Sequence, residues 1–153
     1  MEVTHDCVDL ETAKLLKDKG FDCKVSSYYS APTEYKPELT INRVFDNKKL
    51  ALVNWNREDD FPWLFYSAPE HWIVIKWLRV IHFIFIGIEL IDNSRETCYQ
   101  PTIWTMKDRE YQDEDCMDQA KIICNWKEWK YSTPEEAELE AIKYCLNNLI
   151  DGK

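Results

Sequence analysis

Hydrophobic positions along the chain recur with two different periods. In residues 68–91, APEHWIVIKWLRVIHFIFIGIELI, the side chains of Val74, Trp77, Leu78 and Ile81 fall at i, i+3, i+4 and i+7, and Lys76 and Arg79 turn away from them. That spacing predicts an amphipathic helix over 68–81. Ser67 is placed to cap it, Pro69 suits its first turn, and Glu70 complements the positive end of the helix dipole. Past Ile81 the pattern changes. HFIFIGIELI is rich in β-branched and aromatic residues and apolar on both faces, which predicts a central strand over 83–91. The twenty residues from Trp72 to Ile91 are long enough to cross a bilayer, but Lys76, Arg79 and Glu89 interrupt them. Each charge near mid-membrane costs about 2.5–3.5 kcal/mol, so no membrane span is expected.

Two further helices carry their own punctuation. A helix near 10–19 has Asp9 as N-cap, Val8 poised to staple against Ala13, and Leu10, Ala13 and Leu16 as its apolar stripe. Gly20 is the expected left-handed residue after its end, with Phe21 folding back on the last turn. The segment STPEEAELEAIKYCLNNLI offers Thr133 as N-cap, Pro134 at the first helical position and Glu136 three residues after the cap. Ala141, Ile142, Cys145, Leu146 and Leu149 line one side of that helix. Strands are expected at 26–30, 40–45 and 51–55, with a hairpin turn through Asp46 and Asn47, and again at 102–106 and 121–129. The acidic stretch KDREYQDEDCMDQ between the last two reads as a solvated loop. The expectation is a single domain, 1–153, of α+β class. Its helices pack on a largely antiparallel sheet in the order α-β-β-β-α-β-β-β-α.

Composition narrows the function classes. Apolar residues make up 45% of the chain, more than a disordered segment carries. The net charge of −9 argues against direct nucleic-acid binding, which needs clustered Lys and Arg. The opening MEVTHDCVDLETAK lacks the basic and apolar regions of an export signal, so a cytoplasmic protein with six free thiols is expected. No metal site is expected, since His5 and Cys7 alone are a poor ligand set. No catalytic motif is present, His71 and His82 fit structural roles, and neither an enzyme nor a cofactor is expected. The distinctive feature is aromatic. NWNREDDFPWLFY (54–66) mixes Trp55, Phe61, Trp63 and Tyr66 with charges in an expected loop. These rings either cap the edge of the core or form a protein-contact patch.

Three segments carry a resemblance. LETAKLLKDKGFD (10–22), SAPEHWIVIKWLRVIH (67–82) and YSTPEEAELEAIKYCL (131–146) resemble conserved blocks of a family of small uncharacterised proteins found in phages and prophages of gut Bacteroidetes. Family members usually carry an acidic residue after Trp-Leu-Arg, where this chain has Val80. The family has no established activity, so the resemblance implies a phage-type accessory role in the host cytoplasm. The expected function is therefore non-enzymatic, through contact with a protein partner or as a homo-oligomer. The alternatives are an acidic inhibitor that mimics nucleic acid to block a host defence factor, and a small-ligand or nucleotide binder.

Overall fold

The computed structural model describes residues 6–32, 35–41, 45–46, 49–50, 52–57, 63–93, 96–106, 121–125 and 130–151. In chain order the elements are α1 (Leu10–Asp18), β1 (Ser27–Pro32), β2 (Glu38–Ile41), β3 (Phe45–Asp46), β4 (Lys49–Leu50), a 3-10 turn (Trp55–Arg57), β5 (Trp63–Ser67), α2 (His71–His82), β6 (Ile84–Asn93), β7 (Glu96–Thr105), β8 (Lys121–Asn125) and α3 (Pro134–Asn148). The fold is α+β, and every strand pair is antiparallel. From α2 onward the order is the expected one. Between α1 and α2 the described residues hold five strands where three were expected. The chain forms two compact units: Met1–Ile73 with Leu146–Lys153, and Val74–Cys145.

The first unit is built on the sheet β2-β1-β5, with α1 against β5. Both ends of α1 form as its sequence demands. The Asp9 carboxylate accepts the Thr12 N–H at 2.8 Å. At the other end Gly20 has φ 81°, its N–H donates to the Lys17 carbonyl, and the Phe21 N–H donates to the Leu16 carbonyl. This pair of bonds is a Schellman cap, and it buries Phe21 at 1% exposure together with the fully buried Leu16. Lys19 Nζ donates to the Ile150 carbonyl at 2.6 Å, which ties the last residues of the chain to this helix end.

A hairpin forms within the expected segment, as the pairs Phe45–Leu50 and Asp46–Lys49; Asp46 lies in a strand rather than in the turn, and Asn47 lies outside the described residues. Of the strand expected at 51–55, Ala51 lies outside the described residues, and residues 52–55 do not form a strand. Val53 makes a single bridge to Val25, after which Asn54 and the 3-10 turn redirect the chain. The loop expected at 54–66 is instead closed by β5, which pairs with β1 from Trp63–Pro32 to Ser67–Tyr28.

Helix α2 starts at His71, three residues later than 68. Ser67 ends β5 rather than capping, and the Pro69 carbonyl accepts the Val8 N–H at 3.0 Å, which holds Pro69 outside the helix. Of the predicted stripe, Val74, Trp77 and Leu78 are buried, but Ile81 is 56% exposed. Periodicity fixes which residues share a face; it does not fix where the cover ends.

The helix-to-strand junction is made by Phe83, with φ 55°, a left-handed conformation in which a β-carbon is strained. Its carbonyl is held by the Met106 N–H at 3.0 Å and the Thr105 hydroxyl at 3.3 Å. In the second unit β6 and β7 then pair without a break from Ile84–Thr105 to Asn93–Glu96. On one face Gly87 lies under the Trp104 indole, where an added β-carbon would sit 2.9 Å from the ring. Strand β8 joins β7 with a register shift at Ile103/Trp104. Helix α3 opens with the expected capping residues: the Glu136 N–H donates to Thr133 Oγ1 at 3.2 Å, and the Glu136 carboxylate accepts the Ser132 N–H at 3.1 Å. Ala141, Ile142, Cys145 and Leu146 are fully buried, whereas Leu149 is only half-buried.

Candidate contact surface

The two faces of the β2-β1-β5 sheet follow from strand register. Tyr28 pairs with Ser67 and Ser30 with Phe65, so alternation places Tyr28, Phe65 and Trp63 on one face. Tyr29 pairs with Tyr66, and these two share the opposite face with Leu64 and the buried Ala31.

The first face is aromatic. Trp55 stacks on Tyr28 with ring centroids 3.9 Å apart and 25° between planes, and Phe65 lies 5.9 Å from Trp55 and 6.0 Å from Tyr28. Trp55 is held there by its own indole N–H, which donates to the Val25 carbonyl at 3.2 Å. The flanking asparagines complete the anchorage. Asn54 Nδ2 donates to the Asp22 carbonyl and Asn56 Nδ2 to the Phe21 carbonyl, both at 2.9 Å, while Asn56 Oδ1 accepts the Ser67 N–H at 2.8 Å. Asn54 Oδ1 also accepts the Asn56 N–H at 3.2 Å, an Asx turn that starts the 3-10 turn. Arg57 and Asp22 stand 3.7 Å apart but well exposed, so that pair adds little. At the far end of the same strand face Trp63 is 45% exposed.

The second face is different in kind. Tyr66 lies beneath the ammonium groups of Lys17 and Lys14, 5.3 and 5.9 Å from its ring centroid, as α1 crosses it. The Tyr29 hydroxyl donates to the Val8 carbonyl at 3.1 Å. Burial, with Asp9 and Cys7 nearby, pushes the Tyr29 hydroxyl above its ordinary pKa. Of the four predicted contact residues, then, Trp55 and Trp63 share a face, Tyr66 is on the other, and Phe61 lies outside the described residues. Their grouping in sequence is not a grouping in space.

Burial pushes the Cys7 thiol up, the Ser27 hydrogen bond lowers it, and the carboxylates of Glu70 and Asp6 raise it further. The net direction is upward from the ordinary thiol value. His71 is 5% exposed, and its backbone N–H donates to the Asp6 carbonyl at 3.0 Å. Beside Tyr66 lies an open cleft of about 580 Å³, walled by Asp9, Glu11, Lys14, Lys36 and Leu64. It carries charges of both signs, and the Asp9 carboxylate also caps α1. Among the described residues no group of three or more His, Cys, Asp or Glu could hold a metal ion. Cys7, Cys23, Cys98 and Cys145 are not in disulfides. Within the described residues no helix is long and apolar enough to cross a membrane.

Sequence reasoning singled out Trp55 but missed Asn54 and Asn56. The N-x-N spacing on either side of the tryptophan was the available signal, since an asparagine that binds the backbone two residues on marks a turn. No protein-family model, curated protein or solved structure matches the chain.

Proposed function

We propose that the protein acts through contact with a protein partner or with itself, not through catalysis, and that the sheet face bearing Trp63 takes part. The supporting observation is one indole, 45% exposed, at the end of a strand face whose other rings are packed. A large ring held on a rigid strand offers contact area at little entropic cost, and tryptophan is among the residues that most often dominate interface energies. The resemblance to phage and prophage proteins supports an accessory role of this sort in a host cytoplasm.

Trp63→Ala tests the reading. Truncating a core ring costs about 3–5 kcal/mol of stability, whereas truncating an interface anchor costs about 2 kcal/mol or more of association. The variant is expected to keep its melting temperature within a few degrees and to lose contact with a protein partner, followed by pull-down. Unfolding of the variant, with association tracking only the folded fraction, would assign Trp63 to the core instead.

A further inference from the structure

The geometry points to the outer edge of β6 as a pairing edge for β6 of a second copy of this chain. This deepens the contact reading by naming one partner, but it rests on a surface other than Trp63.

Register and hydrogen bonding fix which backbone groups face outward. Tyr99 exchanges both of its backbone bonds with Tyr131, at 2.9 and 3.0 Å. Its N–H and C=O therefore point away from β6, and the Tyr99–Leu90 pair is one that exchanges no bonds. The Met106 N–H to Phe83 carbonyl bond at the other end of the ladder has the same phase. By alternation Phe85, Gly87, Glu89 and Ile91 bond to β7, while Ile84, Ile86, Ile88, Leu90 and Asp92 direct their N–H and C=O groups to the outer side. No backbone bond from another described segment reaches those five residues.

Strand edges are ordinarily blunted by shortness, charged side chains, proline or a bulge. Strand β6 carries only charge, and both carboxylates are engaged by β7: Glu89 accepts from the Thr102 hydroxyl at 3.2 Å and Asp92 from the Thr97 hydroxyl at 2.9 Å. It is ten residues long, IFIGIELIDN, contains neither Lys nor Pro, and runs in unbroken register with β7. Leu90, whose amide faces outward, is also 57% exposed.

The edge is complementary to itself. Antiparallel pairing about Ile88 sets Ile86 against Leu90 of the second copy, and the pairing stops short of Ile84, which is 1% exposed. Glu89 then faces Gly87, so no carboxylate lies opposite its own counterpart. The arrangement closes on a two-fold axis and leaves no further free β6 edge, as a dimer requires.

Sedimentation of the full chain over a range of concentrations, for the wild type, Leu90→Pro, Leu90→Lys and Trp63→Ala, tests this. Leu90→Pro removes an outward donor without touching a bond to β7, and Leu90→Lys keeps the donor but places a charge at the apolar junction. A concentration-dependent wild-type dimer is expected, weakened at least about tenfold in both Leu90 variants, as loss of the interchain bonds predicts. Trp63→Ala is expected to dimerise as the wild type does. Far-UV circular dichroism checks that each variant is folded; should Leu90→Pro misfold, Leu90→Lys decides alone. A monomeric wild type, or a dimer indifferent to the Leu90 changes, overturns the edge proposal. A dimer lost only in Trp63→Ala overturns it in favour of the Trp63 face. If no variant alters dimerisation and Trp63→Ala alters no pull-down, the Trp63 reading fails as well.

Discussion

Strand β5 ends the first sheet with two of its outward backbone groups engaged: Lys17 Nζ donates to the Phe65 carbonyl at 3.1 Å, and Asn56 Oδ1 accepts the Ser67 N–H at 2.8 Å. Strand β6 ends the second sheet with its outward groups met by no described backbone segment. Both strands are largely apolar, WLFYS against IFIGIELIDN. Composition alone does not separate them. Residues distant in sequence, one on α1 and one in the 3-10 turn, each engage one outward group of the first edge, and no described backbone segment pairs with the second. Edge protection is a property of the neighbours.

The largest expected effect separates the two ends of β6. Ile84 is 1% exposed, so Ile84→Ala should cost about 2–5 kcal/mol, as for other buried aliphatic truncations. Leu90→Ala, at an exposed position, should leave the stability of the isolated chain within about 0.5 kcal/mol. Chemical denaturation at low protein concentration measures both, and equal losses would mean that the Leu90 end of β6 is also core.

Next in size is the device that finishes β5. Asn56→Ala strips the acceptor from the Ser67 N–H and the donor from the Phe21 carbonyl, leaving part-buried groups unsatisfied at about 1–3 kcal/mol. It should also give β5 a pairing edge. Increased self-association of the variant in sedimentation, beyond the wild type, is the expected result; unchanged association would show that Asn56 is not what protects this edge.

These contrasts also mark what the sequence could reveal. The caps of α1 and α3 were legible because each is a local bargain between a few neighbouring residues, Asp9 with Thr12, Gly20 with Phe21, Thr133 with Glu136. Strand β5 was not legible. Apolar at nearly every position and preceded by Asp59, Asp60 and Pro62, it acquires its conformation from β1 rather than from any alternation of its own. The segment 51–55 failed the other way, with strand-forming residues overruled by Asn54 and Asn56. The contact patch was found as a cluster of aromatic residues and divided by the sheet, since period-two alternation sends Trp63 and Tyr66 to opposite faces. Had β5 been recognised as a strand, that division would have followed at once.

A smaller gain is expected where β6 begins. Phe83→Gly relieves a left-handed β-carbon and gives up a side chain that is 55% exposed. It should stabilise the chain by up to about 1 kcal/mol, visible as a rise in melting temperature. A loss would mean that the Phe83 ring contributes more than its exposure suggests.

The mildest effect is alkaline. Burial raises Cys7 above 9.0 and Tyr29 and Tyr131 above 10.0, so the folded chain holds these protons more tightly than the unfolded one. Stability should be constant below about pH 9 and fall as pH climbs from the unfolded toward the folded pKa values. Cys7→Ser should flatten only the first part of that fall, in denaturation curves taken at successive pH values.

Amide hydrogen exchange, followed residue by residue at low and high protein concentration, tests the contrast between the edges most directly. The Ser67 amide should be protected at both concentrations, because its partner Asn56 belongs to the same chain. The Ile86, Ile88 and Leu90 amides should exchange quickly when dilute and slowly when concentrated, while Phe85, Gly87 and Glu89 stay protected throughout. Protection at Ile86, Ile88 and Leu90 that does not depend on concentration, or fast exchange there at every concentration, would contradict the account.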